Sequence, residues 1–316
     1  MWVADKWKEY ELIDCEGGER LERWGKYILI RPDPQVIWNG KRKNPLWREA
    51  HGVYRRQGGG GSWVVNNMPE NWCINYGKYQ FRLRPMGFKH TGLFPEQATN
   101  WDWADGVIRR RIEENGEGAE RPKVLNLFAY TGGATVACSM AGAALCHVDA
   151  SKGMTNAAKE NMQLSGLGDA PCRYIVDDCR KFVEREIRRG VRYDGIIMDP
   201  PSYGRGPNGE VWKLEECAAD LVALTAKVLS DRPAFFLINS YTTGLSPATM
   251  AYILQTALPA NLRHAAHVEF GETNEETLIR EYKEEIGANI AVGELKWVAE
   301  AFFPWGESPC HQICLY

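Results

Sequence analysis

The rhythm of apolar and polar positions changes along the 316-residue chain. Up to about residue 90, short alternating runs are punctuated by glycine. Tyr10 to Asp14 precedes a Gly17-Gly18 turn, Tyr27 to Arg31 follows it, and Gly52 to Arg56 and Trp63 to Asn66 flank Gly58 to Gly61. Tyr76-Gly77-Lys78-Tyr79 reads as a further tight hairpin. Such runs predict a small antiparallel β domain over 1–90. From 123 onward, strand-length apolar runs alternate with helix-length segments. Strands are predicted at 123–130, 144–149, 172–177, 193–199, 233–240 and 263–270, and helices at 132–141, 152–165, 179–189, 212–230 and 246–257. Regular βα alternation predicts a doubly wound α/β sheet over 123–272, with ligands at the C-terminal ends of its strands. Residues 91–122 connect the two: Thr91 to Gln97, a helix over 98–114, and a linker rich in Glu and Gly.

Composition narrows the class. Apolar residues make up 44% of the chain, enough for two cores, and no apolar run reaches membrane-spanning length. The N-terminus lacks the basic-then-apolar order of an export signal, so a cytoplasmic protein with no membrane partner is expected. Nine cysteines, none in a CxxC pair, fit reduced thiols better than disulfides or structural zinc. The net charge is −3, but residues 267–316 hold ten glutamates against Arg280, Lys283 and Lys296, leaving a mildly basic body. Lys41-Arg42-Lys43, Arg55-Arg56, Arg109-Arg110-Arg111 and Arg188-Arg189 either face a polyanion or are solvated surface. The Trp and Tyr residues of the first domain read first as its core and second as base-stacking platforms.

Candidate chemistry gathers at the predicted strand ends. Val124 to Ala134 is a strand, a Gly132-Gly133 turn and a helix start, which brings backbone amides close to a ligand because those glycines carry no side chain. Asp149 ends the second strand about twenty residues on, where a carboxylate accepts from a ribose diol. The absence of GxGxxG argues against a nicotinamide cofactor. Asp177-Asp178 ends the third strand, and Asp199-Pro200-Pro201-Ser202-Tyr203 ends the fourth, where two prolines fix φ and present carbonyls beside an aromatic ring.

These residues resemble class I S-adenosylmethionine-dependent methyltransferases, above all those of bacterial 23S ribosomal RNA. The resemblance rests on Leu127 to Gly133, Val148 to Lys152, Glu160-Asn161, the Asp199-Pro200-Pro201 loop and Thr91 to Phe94 with Gln97, and spans about Tyr79 to Glu272. Ala98 stands where such relatives commonly carry an arginine. The resemblance implies a Rossmann-like fold and an RNA partner. It also implies a cofactor site of Tyr130, Thr131, Gly132 and Gly133 around the methionine part, Asp149 on the ribose, Asp178 on the adenine and Asp199 beneath, with Gln97 of the preceding motif also among the cofactor-binding residues. Asp199, Pro200, Pro201 and Tyr203 are the catalytic candidates.

The tail carries a second resemblance. Thr273 and Glu276 form a capping box, Leu278, Tyr282 and Ile286 make an apolar stripe, and Glu281, Glu284 and Glu285 crowd another face. Arg280 to Gly287 resembles the Nudix box of pyrophosphohydrolases, which implies Mg²⁺ on those three glutamates. Ala266 stands where the box opens with glycine, and 273–316 is too short for a whole Nudix domain. We therefore expect a partial Nudix-like segment fused near Val268 to Glu272, with Ser308 to Tyr316 supplying a last strand to the main sheet. Nudix-type hydrolysis by the tail, or RNA binding without catalysis, are the alternatives to methyl transfer.

Overall fold

The computed structural model describes residues 4–58, 60–204, 211–242 and 245–263, and the backbone alone of 205, 298–305 and 308–315. Five strands form the first sheet in sequential order: β1 (Tyr10–Glu16), β2 (Glu19–Trp24), β3 (Tyr27–Pro32), β4 (Gly52–Gln57) and β5 (Gly60–Val65). β3 is buried along its whole length. Ile28 and Ile30 pack with Leu21 and Trp47 on one face, while Tyr27 and Leu29 join Trp24 and Trp72 on the other. The sheet is not wholly antiparallel, because β3 and β4 run parallel. Residues 33–51 separate those strands and turn through a short 3-10 helix at Pro45–Arg48 that buries Trp47.

β6 (Trp72–Tyr76) and β7 (Tyr79–Leu83) make a separate hairpin. Ile74, Phe81 and Leu83 are fully buried on its inner face. That face packs on Trp101 of α1 (Ala98–Asn115) and on α2 (Gly133–Met140) and α3 (Lys152–Leu164). The tryptophans and tyrosines of the first ninety residues are thus mostly core: Trp24, Trp47, Trp72, Tyr54, Tyr76 and Tyr79 are buried.

The second sheet is parallel. β8 (Lys123–Leu127), β9 (Ala144–Asp149), β10 (Cys172–Val176), β11 (Gly195–Met198) and β14 (Phe235–Ile238) lie in the order β10-β9-β8-β11-β14. Successive side chains point to opposite faces. Val124 and Ile197 pack under α1 and α2, while Leu125, Ile196 and Met198 pack under α4 (Cys179–Arg188) and α5 (Leu214–Ala226). Asn126 is buried within this apolar sheet because Thr135 Oγ1 accepts from its amide at 3.0 Å. A hairpin of β12 (Tyr203–Arg205) and β13 (Val211–Lys213) follows β11, and α6 (Pro247–Ala257) and the short α7 (Ala260–Arg263) follow β14.

Helix 212–230 is therefore shorter than expected, its first residues being drawn into β13. The predicted strand at 263–270 and the Nudix-like helix with Glu281, Glu284 and Glu285 lie outside the described residues, apart from Arg263, which ends α7. Ser308 to Leu315 is a strand, but not of the parallel sheet. As β16 (Ser308–Leu315) it pairs antiparallel with β15 (Val298–Trp305), an adjacent hairpin partner that closes a shorter loop than the distant sheet edge. Among the described residues no helix is long and apolar enough to cross a membrane, and the seven described cysteines are free thiols.

Candidate active site

The order β10-β9-β8-β11-β14 reverses direction between β8 and β11, and such a reversal opens a crevice at the C-terminal strand ends. The backbone leaving β8 is held in an unusual shape there. Phe128 (φ 55°) and Tyr130 (φ 49°) are left-handed although neither is glycine. Each costs about 1–3 kcal/mol unless its surroundings impose it. Here the Phe128 N–H donates to Cys179 Sγ at 3.3 Å and the Tyr130 N–H to Asp149 Oδ2 at 2.8 Å. Asp149 Oδ1 accepts from the Ser151 N–H at 2.8 Å, so one carboxylate fastens the turn to the start of α3. Burial raises the Asp149 carboxyl above its ordinary value, against those two backbone donors. Each oxygen keeps a second lone pair, which is what a ribose diol requires.

Thr131 Oγ1 donates to the Gly92 carbonyl at 2.5 Å, joining the turn to the Thr91 to Gln97 segment. Buried Asn161 completes the frame: its amide donates to the Thr131 carbonyl at 2.9 Å and its Oδ1 accepts from the Arg82 N–H at 2.9 Å. The two glycines serve packing as well as access. A Cβ on Gly132 (φ 82°) would lie 2.8 Å from Ala158 Cβ, and one on Gly133 would lie 2.7 Å from Trp101 Cζ2. The space their missing side chains leave is taken by α3 and α1.

Asp178, exposed at the head of α4, caps that helix by accepting from the Lys181 N–H at 2.9 Å. Asp177 is ion-paired with Arg185 and accepts from the Asp178 N–H at 2.8 Å. Asp199 is different. Burial, with the negative charge of Glu96 adding to it, raises its carboxyl from 3.8 to about 7. The prolines that follow sit in a braced loop: the Pro201 carbonyl accepts from Trp212 Nε1 at 2.6 Å, and Thr242 Oγ1 donates to Ser202 Oγ at 2.7 Å. Tyr203 opens β12 and is 53% exposed.

Gln97 reaches the same region, with its amide engaged by protein groups. Its Nε2 donates to Tyr241 Oη at 2.6 Å, and its Oε1 accepts from Asn100 at 2.9 Å and Asn239 at 3.1 Å. The sequence pattern alone does not mark Glu96, Asn239 or Tyr241 as site residues. Glu96 was visible only as the neighbour of Gln97, and Asn239 and Tyr241 only as the segment following β14.

The crevice therefore presents Asp149, Asp178 and Asp199 at three successive strand ends, with Glu96 of the segment before α1 beside Asp199. This set of carboxylate acceptors fits a ligand with a ribose and more than one cationic centre, as S-adenosylmethionine has in its sulfonium and ammonium groups. The family described as S-adenosylmethionine-dependent methyltransferase matches residues 47–212. The chain belongs to this family. A SAM-dependent methyltransferase from Agrobacterium tumefaciens is 36% identical, with a TM-score of 0.71 over 79% of this chain and 78% of that one. The structure of SMU.776, complexed with SAH, shares the fold at 19% identity and a TM-score of 0.64, over 81% of this chain and 67% of that one. Among curated relatives, the ribosomal RNA large subunit methyltransferase K/L of Shewanella frigidimarina is 31% identical over 51% of this methyltransferase and 21% of its own length. That of Vibrio campbellii is 39% identical over 38% of this methyltransferase and 15% of its own length. The methyltransferase thus spans about a fifth or less of the curated relatives it matches.

Proposed function

We propose that this methyltransferase acts on a nitrogen of a base in ribosomal RNA, without a covalent enzyme–RNA intermediate. The chemistry at the end of β14 carries the reading. Methylating carbon 5 of a pyrimidine requires a thiolate that adds to the ring. The segment after β14 is Asn239-Ser240-Tyr241-Thr242, without cysteine. The cysteine near the crevice, Cys179, is buried beneath the Phe128 turn, where burial pushes its thiol up to about 12. The RNA substrate is supported by the names of the curated relatives and by the basic body of the chain.

In this reading Asp149 holds the ribose, Asp178 the adenine, and the Tyr130 to Gly133 turn the methionine part. S-adenosylmethionine, when bound, supplies a methyl already activated on sulfur, so nitrogen attack mostly needs alignment and exclusion of water. Asp199 accepts a hydrogen bond from the target's N–H and can hold its proton, since its carboxyl titrates near neutrality. Incubation with RNA containing 5-fluorocytosine, followed by denaturing electrophoresis, tests the absence of a covalent step. The enzyme should migrate unshifted, and a trapped adduct would overturn the reading.

A further inference from the structure

The crevice has an aromatic wall that the cofactor site leaves unexplained. The Phe94 ring lies 5.5 Å from that of Tyr130 and 6.2 Å from that of Tyr241, tilted by 47° and 34°. The three rings thus run from the turn after β8 to the segment after β14. Tyr241 is 47% exposed, yet its hydroxyl is anchored by Gln97, whose carboxamide is itself locked between Asn100 and Asn239. Asn100 also donates to Asn239 Oδ1 at 2.8 Å. A half-exposed aromatic ring normally has rotational freedom; this one is held by the network behind it. The next residue, Thr242, is bonded to Ser202 of the Asp-Pro-Pro loop, and the Tyr241 hydroxyl lies within electrostatic reach of Asp199 and Glu96. A ring whose edge is fixed and whose neighbour is tied to the Asp199 loop has the properties of a stacking platform.

We infer that Tyr241, backed by Phe94, is the platform on which the ring of the methyl acceptor stacks, and that the Gln97–Asn239–Asn100 clamp fixes its angle over Asp199. The acceptor is then a planar heteroaromatic base, drawn from its strand into the crevice. This rests on the proposed RNA substrate and adds a residue that positions it. It explains why Gln97 turns its amide toward Tyr241: the clamp sets ring orientation, and stacking gives affinity without selecting one base.

Saturation-transfer NMR of nucleoside monophosphates, recorded with the protein saturated with S-adenosylhomocysteine, tests the inference without requiring the natural RNA. The wild type should transfer saturation to base protons. Tyr241→Leu should weaken that binding at least about fivefold, whereas Tyr241→Phe, which keeps the ring, should stay close to wild type. Calorimetric binding of S-adenosylhomocysteine, unchanged in both variants, shows that they remain folded. The inference is overturned if the wild type gives no base saturation, or if Tyr241→Leu binds both nucleotides and S-adenosylhomocysteine as the wild type does. Base saturation lost in Tyr241→Leu, but with no methyl transfer to ribosomal RNA by the wild type, would leave the platform standing and remove the RNA reading instead.

Discussion

Asp199 and Glu96 place two carboxyls in one desolvated corner, and the consequence can be read in pH. Burial first, and then Glu96, raises Asp199 from 3.8 to about 7. A carboxyl raised on folding holds its proton more tightly in the folded state, so its ionisation opposes folding progressively between pH 3.8 and about 7. Asp199→Asn removes that penalty. Denaturant unfolding of the ligand-free protein should show the variant gaining on the wild type as pH rises through this window and running parallel to it above about 7. A cationic ligand favours the ionised form, so calorimetric affinity for S-adenosylmethionine should strengthen from pH 5.5 toward 7 in the wild type, with that slope reduced in Asp199→Asn. The acid itself was legible in the sequence from its place at a strand end. Its elevated titration was not, because its causes are burial in the folded crevice and then Glu96, a residue more than a hundred positions away that folding brings alongside.

The turn between β8 and α2 shows what an element can and cannot reveal beforehand. Its apolar run and paired glycines marked the turn, and Asp149 was recognisable as the acid after the next strand. The glycines pointed to ligand access, whereas the close contacts are with Ala158 and Trp101, which only the packed helices bring near. Alanine at position 132 must adopt a left-handed backbone and overlap α3. Gly132→Ala should therefore cost at least about 2 kcal/mol in chemical denaturation. β2 gives no strand signal in the sequence for a related reason. Its sequence, Glu-Arg-Leu-Glu-Arg-Trp, reads as solvent-exposed charge, yet Glu22 is fully buried because Arg31 on the neighbouring strand meets it through two bonds of 2.6 Å. A period-two pattern is invisible when a buried position is filled by half of an ion pair.

Across the whole molecule, that ion pair joins the first sheet to the segment leading into the crevice. Arg31 also reaches the Lys89 carbonyl at 3.4 Å, and the Lys89 ammonium returns to the Pro32 carbonyl at 3.0 Å. Burial works against ionisation of Glu22, but Arg31 outweighs it and holds the carboxyl below 4.5. The ionised pair therefore contributes its full stability above about pH 4.5, and that contribution is lost as pH falls through the lowered value. Glu22→Gln leaves a buried guanidinium without its counter-charge and should destabilise the neutral-pH protein by about 3–5 kcal/mol, read from the denaturation midpoint. It should also flatten the acid limb of the stability curve. The core that begins on the N-terminal sheet continues through the β6–β7 hairpin into α1, α2 and α3 without interruption. Sequence periodicity separated two regions, since composition and rhythm do change near residue 120. The packing between them was not legible, because it depends on aromatic residues such as Trp72, Tyr76 and Trp101 that are far apart in the chain.

The fate of the methyl group distinguishes transfer to nitrogen from every other chemistry at this crevice. Ribosomal RNA is incubated with the enzyme and S-adenosylmethionine carrying a trideuterated methyl, digested to nucleosides and analysed by mass spectrometry. A deuterated methyl is expected on a base nitrogen, absent when Asp199→Asn replaces the wild type. A label on carbon 5 of a pyrimidine, or no label in RNA from an enzyme that binds S-adenosylhomocysteine, would contradict transfer to nitrogen.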